Sequence, residues 1–272
     1  MQKTFDTPGP TSLYVEIGSG DVSLSAAAVT ETTVTVDGKH ADDVLVENEG
    51  DQIVVIAPRG RGFLGGNADF SVRVTLPHDS TFACKLGSAD IAAGGRLGDV
   101  KVKTGSGEVA LEEIAGDALV ETGSGDVHIE QVLGDLRVKS GSADIEVGRI
   151  DGEAAVSTGS GDVQVGSAKG ALEVKSGSGD LNVRDAGDDV ALSTASGDLV
   201  VGRMVRGALV AKNASGDIRV GIPAGIPVWT DITSVTGAVR STLSGAGQPE
   251  EGQDYIEIRA KTVSGDIDLE EL

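Results

Sequence analysis

Thr122-Gly-Ser-Gly-Asp-Val-His-Ile-Glu-Gln-Val-Leu-Gly-Asp-Leu-Arg-Val-Lys139 is one period of a repeat. It reads as a glycine turn, a short alternating strand from Asp126 to Glu130, a second turn at Leu133-Gly134-Asp135, and an alternating strand from Leu136 to Lys139. Apolar residues at every second position mark half-buried β-structure, with one face in the core and one in water. The same pattern recurs on both sides. Asp90, Glu108, Asp126, Asp144, Asp162, Asp180 and Asp198 follow one another at eighteen-residue intervals, and Asp217 comes one residue late. Asp21 and Asp266 stand in similar Ser-Gly-Asp contexts, and Ala238 replaces the acid in a degenerate copy.

Stacked on this period, the apolar residues form columns. The first strand contributes Ile91, Val109, Val127, Ile145, Val163, Leu181, Leu199 and Ile218, with a parallel column running from Ala93 through Ile129 to Val220. The second strand contributes Val100, Ala118, Leu136, Ala154, Leu172, Val190 and Ala208, then Cys84, Val102, Val120, Val138, Val156, Val174, Leu192 and Val210. A corner column holds Ile114, Val132, Ile150, Ala168, Ala186 and Met204. One eighteen-residue unit cannot hide so few side chains by itself, so units stack and share a continuous core. The expected fold is all-β: a parallel β-solenoid, or single-stranded β-helix, with eighteen-residue coils and two short strands per coil. Neighbouring strands would lie about 4.8 Å apart, and some ten coils would make a rod roughly 50 Å long. The cross-section, two facing sheets or a triangle, stays open.

The flanks keep β patterning without the strict period. Residues 1–81 are expected to form an N-terminal β cap with broader coils and a longer loop at Pro58 to Asn67, continuous with a regular solenoid over 82–220. Residues 221–272 would form degenerate coils and a C-terminal cap, with a polar insertion at Gly245 to Asp254 and with Trp229 and Tyr255 plugging the last coil. Capping of unpaired strand edges is the role assigned to both flanks.

The chain has 272 residues, 43 Asp and Glu against 22 Lys and Arg, a net charge of -21, 40 Gly and 3% aromatic residues. This acidic balance argues against nucleic acid, whose phosphates need a cationic face. A single cysteine excludes an internal disulfide framework. Cys84 falls in a valine column and reads as a buried hydrophobe. With no signal-like start and no long apolar run, the expected location is cytoplasmic, away from the membrane.

The acidic column suggests a cation ladder of Asp90, Asp126, Asp144, Asp162, Asp180, Asp198 and Asp217, since stacked carboxylates repel one another. Calcium-binding roll repeats, however, place their acid differently within nine-residue halves. The competing reading has each Asp accept local backbone N–H bonds, with the serine column from Ser88 to Ser215 bonding alongside. The glycine turns lack the strand-to-helix context of phosphate-binding loops. His40, His78 and His128 are isolated, so no zinc cluster or histidine-based triad is visible. No catalytic residue and no cofactor is assigned. On the outer face, Lys103, Glu121, Lys139, Ser157 and Lys175 share a column in which opposite charges meet. The neighbouring column, beginning at Lys101 and continuing through Leu119, Arg137, Ala155, Glu173, Ala191 and Leu209, is apolar enough to be a contact strip.

The recurrence seen in Thr122-Gly-Ser-Gly-Asp-Val-His-Ile and Thr158-Gly-Ser-Gly-Asp-Val-Gln-Val resembles the bacterial β-strand-repeat proteins called putative adhesins, a domain-of-unknown-function family. Phe5-Asp-Thr-Pro-Gly-Pro and Arg59-Gly-Arg-Gly-Phe look like its actinobacterial, unanchored members. The resemblance covers nearly the whole chain and implies no catalytic residues. The expected function is a non-enzymatic scaffold that binds a protein partner. The alternatives are a surface or envelope adhesin, stabilised by divalent cations in one version, and a filament. The expected state is a monomer or a weak homo-oligomer through solenoid ends.

Overall fold

The computed structural model describes residues 1–58, 69–245 and 254–272. Two compact units are present, one of residues 1–134 with 138–140 and one of residues 135–137 with 141–272. Both are parallel β-solenoids built from the expected strand pairs.

In the first unit the strands are β1 (Gln2–Asp6), β2 (Ser12–Ala27), β3 (Glu31–Gly38), β4 (Leu45–Glu49), β5 (Gln52–Ile56), β6 (Asp69–Pro77), β7 (Thr81–Leu97), β8 (Val100–Ser106), β9 (Val109–Ile114), β10 (Ala118–Ser124) and β11 (Val127–Val132). The strand β12 (Leu136–Ser142) contributes to both units. β8 and β10 pair in parallel with Val102 beside Val120, and β9 and β11 pair with Leu111 beside Ile129. These four valine, leucine and isoleucine side chains are at most 2% exposed. Like residues therefore lie over like, as the period requires, and the corner residues Ile114 and Val132 are fully buried.

The flank of this unit holds a full coil inside the region expected to be a cap. β2 pairs with β7 in strict parallel register, with Leu13 beside Phe82, Val15 beside Cys84 and Asp21 beside Asp90. The same stretch of β2 also pairs in parallel with β5 and then β6. A strand has only two edges, so β2 lies between the coil made by β7 and the coil made by β5 and β6. Antiparallel strands then cover that outer coil: β4 pairs with β5, β3 with β6, and β1 with β3. Phe70, Val72, Val74 and Leu76 of β6 are buried beneath this cover. The Arg59, Arg61 and Phe63 loop lies outside the described residues.

The second unit continues with β13 (Ile145–Ile150), β14 (Ala154–Ser160), β15 (Val163–Ala168), β16 (Leu172–Ser178), β17 (Leu181–Ala186), β18 (Val190–Ser193), β19 (Leu199–Met204), β20 (Gly207–Lys212), β21 (Ile218–Ile222), β22 (Val228–Ser234), β23 (Val239–Ser241), β24 (Ile256–Thr262) and β25 (Ile267–Glu271). Parallel pairing runs from β13 through β15, β17 and β19 to β21, and from β14 through β16 and β18 to β20. Here too the outer coil is not the last in sequence. β24 lies between β20 and β22, and β25 between β21 and β23.

Two expectations are corrected here. Val190 pairs with Leu209 and Leu192 with Ala211, so the extra residue enters before Leu209. Leu209 is fully buried, while Ala208 and Val210, assigned to the core, are half-buried. Trp229 and Tyr255 do not plug a coil: they are 54% and 51% exposed.

Candidate functional site

The Ser-Gly-Asp corner is built by close approach of backbones. Gly161 has φ +118, and a Cβ there would sit 2.0 Å from the Ala143 carbonyl oxygen. Only a residue without a side chain takes that conformation at that distance. The tight corner places each aspartate beside the backbone of the next coil. Asp90 Oδ1 accepts from Glu108 N at 2.9 Å, Asp144 Oδ1 from Asp162 N at 2.9 Å, and Asp162 Oδ1 from Asp180 N at 2.8 Å. The chain of bonds continues from Asp180 to Asp198 and on to Asp217 at 2.8 Å each, and from Asp217 to Asp266 at 2.9 Å. The expected bonding to local N–H groups is thus replaced by bonding between coils. Ser106 Oγ reaches Ser88 Oγ at 3.2 Å in the adjoining serine column.

This geometry explains how stacked carboxylates coexist. One oxygen of each of these six is held by a backbone dipole, and the other meets a cation of the protein in the last coils. Arg219 donates to Asp217 Oδ2 at 3.1 Å and stands 3.9 Å from Asp198 Oδ2. Arg240 donates to Asp266 Oδ2 at 2.8 Å. The N–H of Ala238 and then Arg240 hold the Asp266 carboxyl below its ordinary pKa. Asp126 occupies the corresponding corner, its carbonyl accepting from Val109 N at 2.9 Å. Among the described residues, no three His, Cys, Asp or Glu side chains gather as a metal-ligand group.

A second ladder at the other corner escaped the sequence reading. Asp99 Oδ1 accepts from Asp117 N and Asp135 Oδ1 from Glu153 N, both at 2.9 Å, and Asp189 Oδ1 accepts from Ala208 N at 2.8 Å. Its signal was present in the second turn, where an acid follows glycine at Asp99, Asp117, Asp135 and Glu153 with the same eighteen-residue spacing.

The proposed contact strip divides. In the second unit Ala155, Glu173 and Ala191 stand in register on one outward column, with the two alanines half-buried. Leu209 does not join them. Its place is taken by Val210, beside Ala191. Arg137 is exposed, and Leu119 is half-buried on the outward side of β10 in the first unit. Opposite charges meet on the adjacent column, where Lys103 Nζ lies 2.6 Å from Glu121 Oε2.

Cys84 is buried, and loss of solvent pushes its thiol up to about 12. A thiol held protonated in this way is a poor nucleophile at neutral pH. His40, His78 and His128 are exposed on three separate segments. No helix among the described residues is long and apolar enough to cross a membrane.

The described architecture defines a parallel β-solenoid repeat protein. Residues 6–270 match the family model described as Toastrack DUF4097, and the chain belongs to that family. No curated protein matches the sequence. Among solved structures, the chain is similar to a putative adhesin from Bacteroides fragilis, at 12% identity with 99% of this chain and 96% of that chain covered and a TM-score of 0.37. A putative cell adhesion protein from Clostridium sporogenes matches at 13% identity, over 100% of this chain and 99% of that one, with a TM-score of 0.20. A putative lipid binding protein from Parabacteroides distasonis matches at 12% identity, over 98% and 96%, with a TM-score of 0.27. At these TM-scores the likenesses carry no argument.

Proposed function

We propose that this chain is a non-enzymatic scaffold that holds a protein partner against its outward strand columns, in the cytoplasm. One observation carries the reading. The ladder carboxylates are engaged with the backbone of the next coil, which leaves the registered outward columns to vary from coil to coil. The outward column of Ala155, Glu173, Ala191 and Val210 is the face assigned to the partner, because three small, half-buried apolar side chains at fixed spacing can exclude water around one exposed carboxylate without a deep pocket. Affinity capture from the native cell tests it, with Ala191→Glu as the matched control. A partner retained by the native chain and lost with the variant is expected. Retention by both, or capture of nothing, would defeat the reading. Cell fractionation tests the location, and recovery in the envelope would favour an adhesin instead.

A second reading, self-association, is favoured by the outer coil of the second unit. Among the described residues β22 pairs with β24 alone, and Trp229 and Val239 stand about half exposed beside that free edge. An uncovered strand edge is a template for another chain. Sedimentation across concentration distinguishes the two readings: a single monomeric species throughout removes self-association.

A further inference from the structure

The open edge of β22 can be read residue by residue. The residues on either side of it both bond toward β24: Ile256 N donates to Pro227 O at 3.0 Å, and Val235 N donates to Thr262 O at 3.3 Å. Backbone groups alternate between the two edges of a strand. Those of Val228, Thr230, Ile232 and Ser234 therefore point away from β24, where no described strand receives them. The same four residues stand beside the buried Ile256, Ile258, Ala260 and Thr262, so their side chains face the core. Val228 and Ile232 are half-buried there, and Thr230 is exposed. In β23, Ile267 N donates to Ala238 O at 2.9 Å and Thr242 N to Leu269 O at 3.0 Å, which turns Val239 and Ser241 to the open edge as well.

The chain itself shows what such a coil accepts. In the first unit the outer coil is covered by antiparallel strands, β4 along β5 and β3 along β6. An antiparallel strand is thus the cover that fits, and the chemistry of the edge narrows its source. β22 and β23 together carry one acid, Asp231, and one base, Arg240. The edge is therefore neutral in a chain whose net charge is -21, and a second copy can approach it without repulsion from the strands that meet. Among the described residues, the exposed large apolar side chains gather in the same part of the chain. Leu45 is in the first unit, whereas Trp229, Val235, Val239, Tyr255, Val263 and Leu272 are all in the last coils of the second.

We propose that the occupant of this edge is β22 of a second copy, running antiparallel about a two-fold axis at Thr230 and closing a dimer. Thr230 then meets Thr230 of the other copy, and Val228 meets Ile232 on each side of the axis. These are hydrogen-bonded pairs, because the backbone groups of all three residues face the edge. The two apolar residues left half-buried gain cover from each other, and opposed threonines are a favourable cross-strand match. On the outward face Trp229 meets Asp231 of the other copy, near Arg259, whose guanidinium lies 6.0 Å from the centre of the Trp229 ring. Other registers serve less well. One centred on Asp231 sets that carboxylate against itself, and one centred on Ile232 leaves Val228 opposite no residue of β22. Both copies spend the same edge, so the assembly is closed at two rather than open to a filament. The pairing rests on the self-association reading above and adds to it a register and an end point.

Sedimentation and cysteine cross-linking of the full chain test the pairing. The native chain is expected to pass from monomer to dimer at about 10 μM, with nothing larger. Thr230→Pro removes an edge-facing N–H that the monomer does not use, a loss that edge strands tolerate. It should leave the melting of dilute protein unchanged and weaken the dimer at least about tenfold, since two bonds across the axis are lost. Ile232→Lys reaches the same end by placing a charge at the seam, and is expected to weaken the dimer by a similar factor. Thr230→Cys should form an intermolecular disulfide under mild oxidation, because hydrogen-bonded opposites bring their Cα atoms to about 5.5 Å. Ile232→Cys should not, and Cys84 is buried and does not compete. A monomer at every concentration would remove self-association and this dimer together. A dimer that both Thr230→Pro and Ile232→Lys leave intact, growth beyond two copies, or cross-linking by Ile232→Cys without cross-linking by Thr230→Cys would overturn the proposal while self-association stands.

Discussion

The outer coil of the first unit and that of the second are built from similar alternating strands and end in opposite conditions. Phe70, Val72, Val74 and Leu76 of β6 are buried because β3 lies antiparallel along them. In β22 and β23 the inward residues Val228 and Ile232, beside the buried Ile256 and Ala260, are only half-buried, and Val239, beside the buried Ile267, is exposed, because no described strand takes the corresponding place. Alternation makes a side chain eligible for burial. A covering neighbour buries it.

The sharpest test of this contrast is truncation of one inward valine in each coil. Val74→Ala, under the cover of β3, is expected to cost about 2 kcal/mol or more, as for other buried aliphatics cut to alanine. Val239→Ala, in the uncovered coil, should cost under about 1 kcal/mol. Paired urea titrations measure both, and equal losses would break the comparison. Glycines give the next effect. Gly161→Ala forces a side chain into the Ala143 backbone at positive φ and is expected to cost about 1–3 kcal/mol. Gly225 also has positive φ, +81, but nothing within 4 Å of its would-be Cβ, so Gly225→Ala should cost about 1 kcal/mol from backbone strain alone. Thermal melting of both variants separates crowding from strain.

Smaller effects probe the ladder. Asp162→Ala removes the acceptor of Asp180 N and should cost about 0.5–1.5 kcal/mol. Asp162→Asn keeps a side-chain oxygen and should cost less, and hydrogen exchange at the Asp180 amide reports the difference. If the ladder's strength lay instead in a bound cation, the two variants would lose alike, and calcium would raise the melting temperature of the native chain.

The smallest effect concerns Asp151, which Arg149 first and Lys169 second hold down to about 2. Its folded value lies below the unfolded value of about 3.9, so the pair's contribution is complete above about pH 4 and disappears as pH falls through about 2. Asp151→Asn should therefore melt slightly lower than the native chain at neutral pH and together with it below about pH 2. A carboxyl NMR titration of Asp151 checks the midpoint.

Most of the fold was legible because stacking demands repetition: a column such as Val102 and Val120 can be read without knowing a contact. The reading failed where chemistry did not discriminate. Across Ala208-Leu209-Val210-Ala211 either register puts apolar residues inward, so the position of the extra residue could not be read from polarity. The coil at Ser12–Ala27 was hidden differently. Its partner β7 begins 69 residues after β2, a separation unrelated to the eighteen-residue period. For the candidate site, the acid column was plain, but bonding from one coil to the next depends on distances that a linear pattern does not contain.

The threading of the two outer coils has a mechanical consequence. β2 is gripped along both edges, by β7 on one side and by β5 with β6 on the other, and β24 is gripped likewise by β20 and β22. A pull applied at Leu272 loads β25, held along both edges by β21 and β23, and must shear two ladders at once, whereas a pull at Met1 loads β1, whose described partner is β3, and can strip a single antiparallel ladder before β2 bears force. Resistance to load is therefore unequal between the two units, with the second unit's terminal strand held on two edges and the first unit's on one.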